Sequence, residues 1–348
     1  MTTLEWLPDW LRRLFEIPGV TDVLINSPRD VWIDRGLGVE HANEVQPGVI
    51  PEWQASDIRA LAVRLASLGG RRLDDAAPAV DARLPDGTRL HAVLPPIADG
   101  CAAVSLRMVR SSSLEWEDLV ISGMVHRDLA PVVRGLVRSR QSLILSGATG
   151  SGKTTLLASC LAQVEQAERI VLIEEAGEIR PDHPHVVHLV ERSANVDGAG
   201  AVGLARLVRE ALRMRPDRIV LGECRGAEIR DVLLALNTGH RGSLTTLHAN
   251  AAEDVPARLA GLGALADLSE RAVALHVAAA FTGVIHLVRE DGRRRVGQVA
   301  LLEVSDGRLR TVPAAEVDGD GRLTPGVAWP RLVEAAGLIT VPALARVA

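Results

Sequence analysis

From residue 143 onward, hydrophobic residues fall into short continuous runs that are separated by helical patterns. Such runs are typical of strands buried on both faces, as in a parallel sheet covered by helices. The runs that predict strands are 143–145, 169–174, 218–223 and 243–248, with 185–190 as a candidate edge strand. The segments that predict helices are 154–164, 204–214 and 227–236, and two more helices follow. The alternation predicts an α/β domain with a parallel central sheet, in which ligands bind at the carboxyl ends of the strands.

The first 110 residues combine shorter patterns of both kinds. The predicted strands are 23–25, 31–33, 104–108 and a hairpin over 83–94, and a helix is predicted over 56–68. Apolar residues near the start recur at helical spacing, namely Trp6, Leu7, Trp10, Leu11 and Leu14. This apolar face either packs on its own domain or docks on a partner. The pattern predicts a small α+β domain.

The polar segment Ser111-Ser112-Ser113 is a plausible hinge between the two parts. We expect an N-terminal domain over 1–110 and a second domain over 111–311, which ends in a hairpin of strands 284–289 and 295–303. Residues 312–348 show little hydrophobic pattern. We expect them to form a low-pattern C-terminal tail that is partly disordered.

Composition narrows the function classes. The 348 residues are 47% hydrophobic, which is enough for two cores, and the net charge of −5 without an arginine-rich run disfavours a dedicated nucleic-acid binder. The cysteines, Cys101, Cys160 and Cys224, are far apart and are expected to be buried thiols in a reducing compartment. No signal peptide and no apolar stretch of membrane-spanning length is evident. We expect a soluble cytoplasmic protein.

The chain has 39 basic residues, and the only lysine among them is Lys153. It lies near the end of a glycine-rich phosphate-loop motif. The motif and the threonine that follows it are Gly147, Ala148, Thr149, Gly150, Ser151, Gly152, Lys153, Thr154 and Thr155. In such a loop, backbone N–H groups surround a phosphate and a compact ammonium reaches the β- and γ-phosphates. The alternative is an ordinary glycine-rich turn. The motif predicts nucleoside triphosphate binding, with Thr154 on magnesium and Thr155 near the α-phosphate.

Acidic residues follow two of the predicted strands. Glu223 closes an apolar run and is a candidate magnesium ligand and catalytic acid of the Walker B type, although it could instead cap the next helix. Glu174 ends the neighbouring strand and is followed by Glu175 and Glu178. We expect Glu174 to activate the attacking water, a role that it shares with Glu223.

Histidines mark the last predicted strand of the parallel sheet. His248 ends this strand, where a sensor of the γ-phosphate would lie, and His240 precedes it with either a structural or a functional role. Another group, His183, His185 and His188, lacks the acid or cysteine that would complete a usual zinc site.

Taken in order, these segments resemble the secretion ATPase superfamily of type II and type IV systems. Four boxes carry the resemblance: 147–155 (Walker A), 173–179 (acidic box), 212–228 (Walker B) and 238–250 (histidine box). The histidine box and the segments 20–26 and 31–35 are similar to the CpaF-like branch, whose members power Tad/Flp pili. Two departures are Glu174-Glu175, where the family usually has Glu-Asp, and Cys224, where an aliphatic residue is usual.

The resemblance implies a RecA-like P-loop domain, ATP and Mg²⁺ as cofactors, and a homo-hexameric ring with nucleotide between the two domains of each subunit. It also implies that arginines of the N-terminal domain reach the γ-phosphate. The matching candidates are Arg83, Arg89 and Arg107, and we expect Arg83 and Arg107 in particular to bind nucleotide.

The function predicted from these features is an ATP-hydrolysing motor that drives Tad/Flp-type pilus assembly. Its partner would be an inner-membrane platform protein, which would place the motor at the inner face of the membrane without stable nucleic-acid binding. One alternative is a conjugation or type IV secretion ATPase that moves DNA or protein. Another is a nucleotide-binding regulator that does not hydrolyse ATP.

Overall fold

The computed structural model describes residues 7–36, 38–108, 114–192, 200–290 and 292–338. These residues divide into two compact units, one drawn from 7–108 and the other from 114–338. The predicted hinge, 111–113, lies outside the described residues. Among the described residues, no helix combines the length and the hydrophobicity needed to cross a bilayer.

The first unit is a six-stranded antiparallel sheet in the order β3-β2-β1-β6-β5-β4. Its strands are β1 Asp22–Ile25, β2 Val31–Asp34, β3 Val39–His41, β4 Ala79–Arg83, β5 Arg89–Val93 and β6 Ala103–Arg107. Its helices are α1 Asp9–Glu16, α2 Ala42–Val45 and α3 Ala55–Leu68. Helix α3 packs on β4, β5 and β6.

Helix α1 belongs to the core of this first unit. Leu11 and Leu14 are fully buried, and the Trp10 ring packs edge-on against Trp53 with 4.8 Å between the ring centroids. The interpretation that this helix packs on its own domain is therefore confirmed, whereas Trp6 lies outside the described residues.

The second unit is built on a nine-stranded mixed sheet in the order β15-β14-β13-β12-β7-β11-β10-β8-β9. Its strands are β7 Leu143–Gly147, β8 Ile170–Glu174, β9 Val186–Val190, β10 Arg218–Leu221, β11 Leu244–Leu247, β12 Gly283–Glu290, β13 Arg293–Ser305, β14 Arg308–Val317 and β15 Leu323–Pro325. The strands from β12 to β9 in this order pair in parallel, and β13 to β15 add antiparallel pairs. The predicted parallel central sheet and its edge strand are confirmed.

Helices cover both faces of this sheet. They are α4 Trp116–Ile121, α5 Ala130–Arg138, α6 Lys153–Leu161, α7 Leu204–Ala211, α8 Ile229–Asn237, α9 Val255–Leu265, α10 Glu270–Ala280 and α11 Trp329–Ala335. Successive strand residues enter opposite cores: Leu143 and Leu145 lie in the core with α4, α5, α6 and α11, and Ile144 lies in the core with α7 to α10. Burial on both faces is the physical reason for the continuous hydrophobic runs.

The structure differs from the expectation of a low-pattern, partly disordered tail after residue 311. Strand β14 continues to Val317, β15 follows, and α11 buries Trp329 and Leu332 in the core. The pattern is weak because the β13–β14 register shifts between Val299 and Ala300, which breaks strict alternation, and because α11 has only seven residues. Residues 339–348 lie outside the described part of the chain.

The three cysteines are free thiols and all are buried, as predicted. Burial raises the pKa of the Cys160 thiol to about 12. These side chains therefore serve packing, and Cys224 in particular lies in the core beside the Walker B segment.

Candidate nucleotide-binding site

The glycine-rich loop connects the end of β7 to the start of α6. Gly147 has φ +149° and Gly152 has φ +100°, which are backbone conformations that residues with a Cβ rarely adopt. A Cβ at Gly147 would lie 2.4 Å from the Leu287 carbonyl oxygen, and one at Gly152 would lie 2.6 Å from Met124 Cε. The loop conformation therefore requires glycine at both positions.

The Lys153 ammonium group lies under this loop. Its Nζ donates hydrogen bonds of 2.9 Å to the Gly147 carbonyl oxygen and 2.8 Å to the Ala148 carbonyl oxygen, and the side chain is buried. Burial lowers the pKa of Lys153, an effect that the Glu223 carboxylate opposes. The Ser151 Oγ is also buried and has no hydrogen-bond partner among the described residues. Free N–H groups at the start of α6, a buried ammonium and an unpaired hydroxyl fit a phosphate group.

Three residues predicted from different boxes meet at the carboxyl end of the sheet. His248 Nε2 lies 3.2 Å from Glu223 Oε1, and His248 Nδ1 lies 3.4 Å from Lys153 Nζ. An ammonium group only donates, so this geometry favours the neutral imidazole with its proton on Nε2, facing Glu223. Desolvation and the neighbouring Lys153 charge lower the pKa of His248, and Glu223 partly opposes them. A neutral histidine is therefore held between a base and a cation.

The loop that carries Glu223 is fixed by the adjacent strand β11. The Thr246 hydroxyl donates to the Gly222 carbonyl oxygen at 2.6 Å, and the Cys224 N–H donates to the Thr246 carbonyl oxygen at 2.9 Å. Thr246 was not predicted as a site residue. The signal in the sequence was a hydroxyl side chain inside a strand that is buried on both faces.

Glu174 is held by its own loop. Its Oε1 accepts hydrogen bonds from the N–H groups of Glu178 at 2.7 Å and Ile179 at 2.8 Å. Its Oε2 is buried, lies 3.7 Å from His188 Nδ1 and accepts no hydrogen bond from the described residues. A Cβ at Gly222 would lie 3.0 Å from Glu174 Cγ, so Glu174 is beside the residue that precedes Glu223. One carboxylate oxygen of Glu174 therefore accepts no hydrogen bond from the described residues and lies next to the loop that carries Glu223.

The second acid of the acidic box has a different partner. Glu175 forms an ion pair with Arg225, the residue that follows Glu223 and Cys224. This contact joins the acidic box to the Walker B segment through surface side chains. An ion pair with Arg225 requires only that the carboxylate is charged and close enough, so glutamate can form it as well as aspartate can.

The two histidines of the histidine box lie at opposite edges of the sheet. His248 follows β11, whereas His240 precedes it and its Nδ1 lies 3.2 Å from the Ala235 carbonyl oxygen at the end of α8. His240 is therefore placed away from the glycine-rich loop. In the other group, His183 lies on the Glu165 carbonyl oxygen and His185 beside Arg169, and His188 is the histidine next to Glu174.

The arginines expected to bind nucleotide lie side by side in the first unit. Arg83 pairs in register with Arg89 on the neighbouring strand, and Arg89 pairs with Arg107. Arg107 Nε donates to Asp22 Oδ1 at 2.7 Å. Because partners in register share a face of a sheet, the three guanidinium groups form one row on the face opposite the buried side chains.

A cavity of about 680 Å³ opens beside the glycine-rich loop, lined by Ala148, Thr149, His248, Asn250, Asp254 and Arg258 among others. Its volume is in the range of cofactor sites. Arg258 Nε donates to the His248 carbonyl oxygen at 3.2 Å and so closes one wall.

The oxygen donors expected on magnesium are Thr154, whose side chain is exposed, and the half-buried Glu223. Magnesium sites usually combine one or two such side chains with water and substrate phosphates, so these residues fit the ion. Within the described ranges, no cluster of three or more histidine, cysteine or acidic residues forms a cation site.

The sequence is similar to those of known proteins over most of its length. The sequence profile of the type II/IV secretion system protein family matches residues 10–316. A Mycobacterium tuberculosis protein provisionally named as a conjugal transfer protein is 45% identical over 315 residues, which cover 88% of each chain. The conjugal transfer protein TrbB of Rhizobium radiobacter is 30% identical over 340 residues, which cover 93% of this chain and 100% of TrbB.

A solved structure with the same architecture is that of the pilus retraction motor PilT with bound ADP. It superimposes with a TM-score of 0.59 at 23% sequence identity and covers 86% of this chain and 84% of the PilT chain. The predicted fold, a RecA-like P-loop domain preceded by a small α+β domain, is confirmed.

Proposed function

This chain belongs to the type II/IV secretion system protein family, and we propose that it is an ATP-hydrolysing motor of such a system. The observation that carries the proposal is the arrangement of Lys153, His248 and Glu223 around the end of the glycine-rich loop. Transfer of the γ-phosphoryl group to water needs positive charge at the phosphates and a group that positions the attacking water, and Lys153 and the Glu223 carboxylate can supply these with His248 between them.

The hydrolytic roles follow from the contacts of each group. Lys153 exchanges the Gly147 and Ala148 carbonyl oxygens for phosphate oxygens when ATP binds. Glu174 activates the attacking water through its buried oxygen that accepts no hydrogen bond from the described residues, a role that it shares with Glu223 on the neighbouring strand. His248 senses the γ-phosphate, because its Nε2–H donates to Glu223 until a phosphate oxygen competes for it. Thr154 and Glu223 would hold magnesium, which supplies charge neutralisation to the phosphates.

In this proposal, the row of arginines in the first unit supplies further positive charge to the γ-phosphate. Arg83 and Arg107 contact the γ-phosphate when the two units close on the nucleotide in a homo-hexameric ring. Guanidinium groups that meet the phosphate only in the closed state would couple hydrolysis to domain motion. The support for this step is the register that aligns Arg83, Arg89 and Arg107 on one face.

The cargo proposed first is a Tad/Flp-type pilus, assembled through an inner-membrane platform protein on which the motor sits at the inner face of the membrane. Its support is the CpaF-like sequence of the histidine box. A second candidate is a conjugation or type IV secretion motor, which the names of the two relatives favour. Salt-sensitive binding of DNA to the purified ring would favour the second candidate, and its absence is expected from the net charge of −5.

The test of the motor is magnesium-dependent ATP turnover on size-separated protein. Lys153→Ala and Glu223→Gln are each expected to abolish turnover in a hexamer-sized fraction. Glu165→Gln is the matched control, because Glu165 is exposed and follows α6 at the opposite edge of the sheet. Nucleotide binding with no turnover by the wild type, even with membrane partners present, would contradict the motor and indicate a regulator.

A further inference from the structure

Two arginines that no motif marks lie on the glycine-rich loop. Arg294 Nε donates a 2.9 Å hydrogen bond to the Gly150 carbonyl oxygen. Arg289 Nη1 lies 3.4 Å from the position that a Cβ at Gly150 would take. Both side chains come from the hairpin of β12 and β13, and both residues are exposed.

The hairpin presents these two guanidinium groups together. Arg289 and Arg294 are direct partners in the β12–β13 register, two residues beyond the buried pair of Leu287 and Val296 on the same face.

The position of the pair relative to the loop is set by the sheet. Strand β12 borders β7 on one side and β11 borders it on the other. His248 and the carboxylate of Glu223 therefore flank the loop from one side, and the arginine pair flanks it from the other. The γ-phosphate belongs on the side of His248, so the pair faces the phosphates nearer the nucleoside.

We propose that Arg289 and Arg294 are nucleotide-binding residues that hold the α- and β-phosphates against the glycine-rich loop. This inference rests on the proposed ATPase function of the same site. A guanidinium group carries five N–H donors in a planar fork, so Arg294 can keep the Gly150 carbonyl oxygen and still bind a phosphate oxygen. The β12–β13 hairpin is thus part of the nucleotide site, although it lies outside the four sequence boxes.

The inference predicts an effect on binding and little effect on the chemical step. The α- and β-phosphates are held alike before and during γ-phosphoryl transfer, and such uniform contacts change affinity while leaving kcat nearly constant. ADP carries both phosphates and is expected to lose as much affinity as ATP. If the two arginines only stabilised the loop conformation, their substitution would displace Lys153 and lower kcat instead.

The experiment measures the affinity of purified protein for fluorescent ADP and ATP. Arg289→Gln and Arg294→Gln are each expected to weaken both nucleotides by roughly 10- to 100-fold, as for a lost charge-assisted hydrogen bond. Arg293→Gln is the matched control, because Arg293 is next to Arg294 on the same strand and points to the opposite face. It is expected to bind both nucleotides like the wild type.

Wild-type ADP affinity in the Arg289→Gln/Arg294→Gln double variant would overturn the inference. Weakened binding of ADP by the variants in a protein that never hydrolyses ATP would support it and refute only the proposed function. If the variants do not fold, a crystal structure of the wild type with ADP provides the test. A guanidinium nitrogen within hydrogen-bond distance of a phosphate oxygen is expected there, and two distant guanidinium groups would overturn the inference.

Discussion

His248 Nε2 lies 3.2 Å from Glu223 Oε1, so the end of one parallel strand contacts the end of its neighbour at the point where hydrolysis is proposed. The two residues are 25 positions apart in the sequence and belong to different boxes. Because of this contact, the protonation of His248 depends on the charge of the Glu223 carboxylate. The contact also places both beside Lys153, so nucleotide binding at the loop reaches all three groups.

The pKa of His248 depends on two of its charged neighbours, Lys153 and Glu223. Burial and Lys153 lower it below the ordinary value of 6.5, and Glu223 opposes the shift. Glu223→Gln should therefore lower this pKa further, and Lys153→Met should raise it. Nitrogen NMR of the histidine side chains against pH measures both changes, with Glu165→Gln as the unaffected control. A rise in Glu223→Gln would contradict the arrangement.

The same shift has a consequence for stability against pH. Because the folded state holds His248 with a lowered pKa, folding favours the neutral imidazole. The contribution to stability is complete above pH 6.5 and is lost as the pH falls through the lower pKa of the folded state. His248→Gln should remove this part of the acid destabilisation, as urea unfolding at pH 7 and pH 5 would show.

Thr246→Val should impair turnover more than it impairs folding. The substitution keeps the shape of a side chain that is nearly fully buried and removes its hydrogen bond to the Gly222 carbonyl oxygen. We expect a loss of about 1 kcal/mol in the free energy of unfolding, together with a loss of kcat on the order of tenfold as Glu223 becomes misplaced. Thr245→Val is the control, because the contact of its hydroxyl among the described residues is a long one, 3.5 Å to the Thr246 carbonyl oxygen.

Gly147→Ala should abolish nucleotide binding. The residue has φ +149°, and its Cβ would lie 2.4 Å from the Leu287 carbonyl oxygen, which belongs to a rigid strand. The loop would have to change conformation to relieve this contact. Gly261→Ala in α9 is the matched control, since open space surrounds that position, and it should stabilise the protein by about 1 kcal/mol. Calorimetric titration with ADP and thermal unfolding measure the two effects, and normal ADP affinity in Gly147→Ala would refute the expectation.

A buried ion pair holds the amino edge of the sheet, opposite the nucleotide site. Arg218 is fully buried and donates to both oxygens of Glu168, at 2.7 and 3.1 Å, and to the Gly242 carbonyl oxygen at 3.2 Å. Arg218→Ala leaves a buried carboxylate without its main partner and should cost about 3–5 kcal/mol in the free energy of unfolding.

The matched control for this pair is Arg140→Ala. Arg140 Nη2 lies 3.3 Å from the same Glu168 carboxylate, but its side chain is half exposed. We expect a cost below about 1 kcal/mol, because water screens an exposed ion pair. Urea unfolding of both variants gives the comparison, and equal costs would show that burial is not what makes the Arg218 contact important.

Sequence reasoning succeeded where one local pattern carried the information. Continuous apolar runs identified β8 and β10, because strands buried on both faces favour hydrophobic side chains at successive positions, and β11 was identified although its two central residues are threonines. It missed β14, β15 and α11, since a register shift and a short helix remove the periodicity on which prediction depends.

Within the site, local patterns in the chain predicted the glycine-rich loop, its lysine and the acids and histidine at the strand ends. This was possible because each follows a strand, and parallel strands end at one edge. The three-dimensional fold was needed for four other features: the contact of His248 with Glu223, the hydrogen bonds that hold Glu174 to its own loop, the position of His240 at the far edge of the sheet, and the approach of Arg289 and Arg294 to Gly150. The physical reason is that these contacts depend on strand order and on the register of a hairpin, and neither leaves a local mark in the chain.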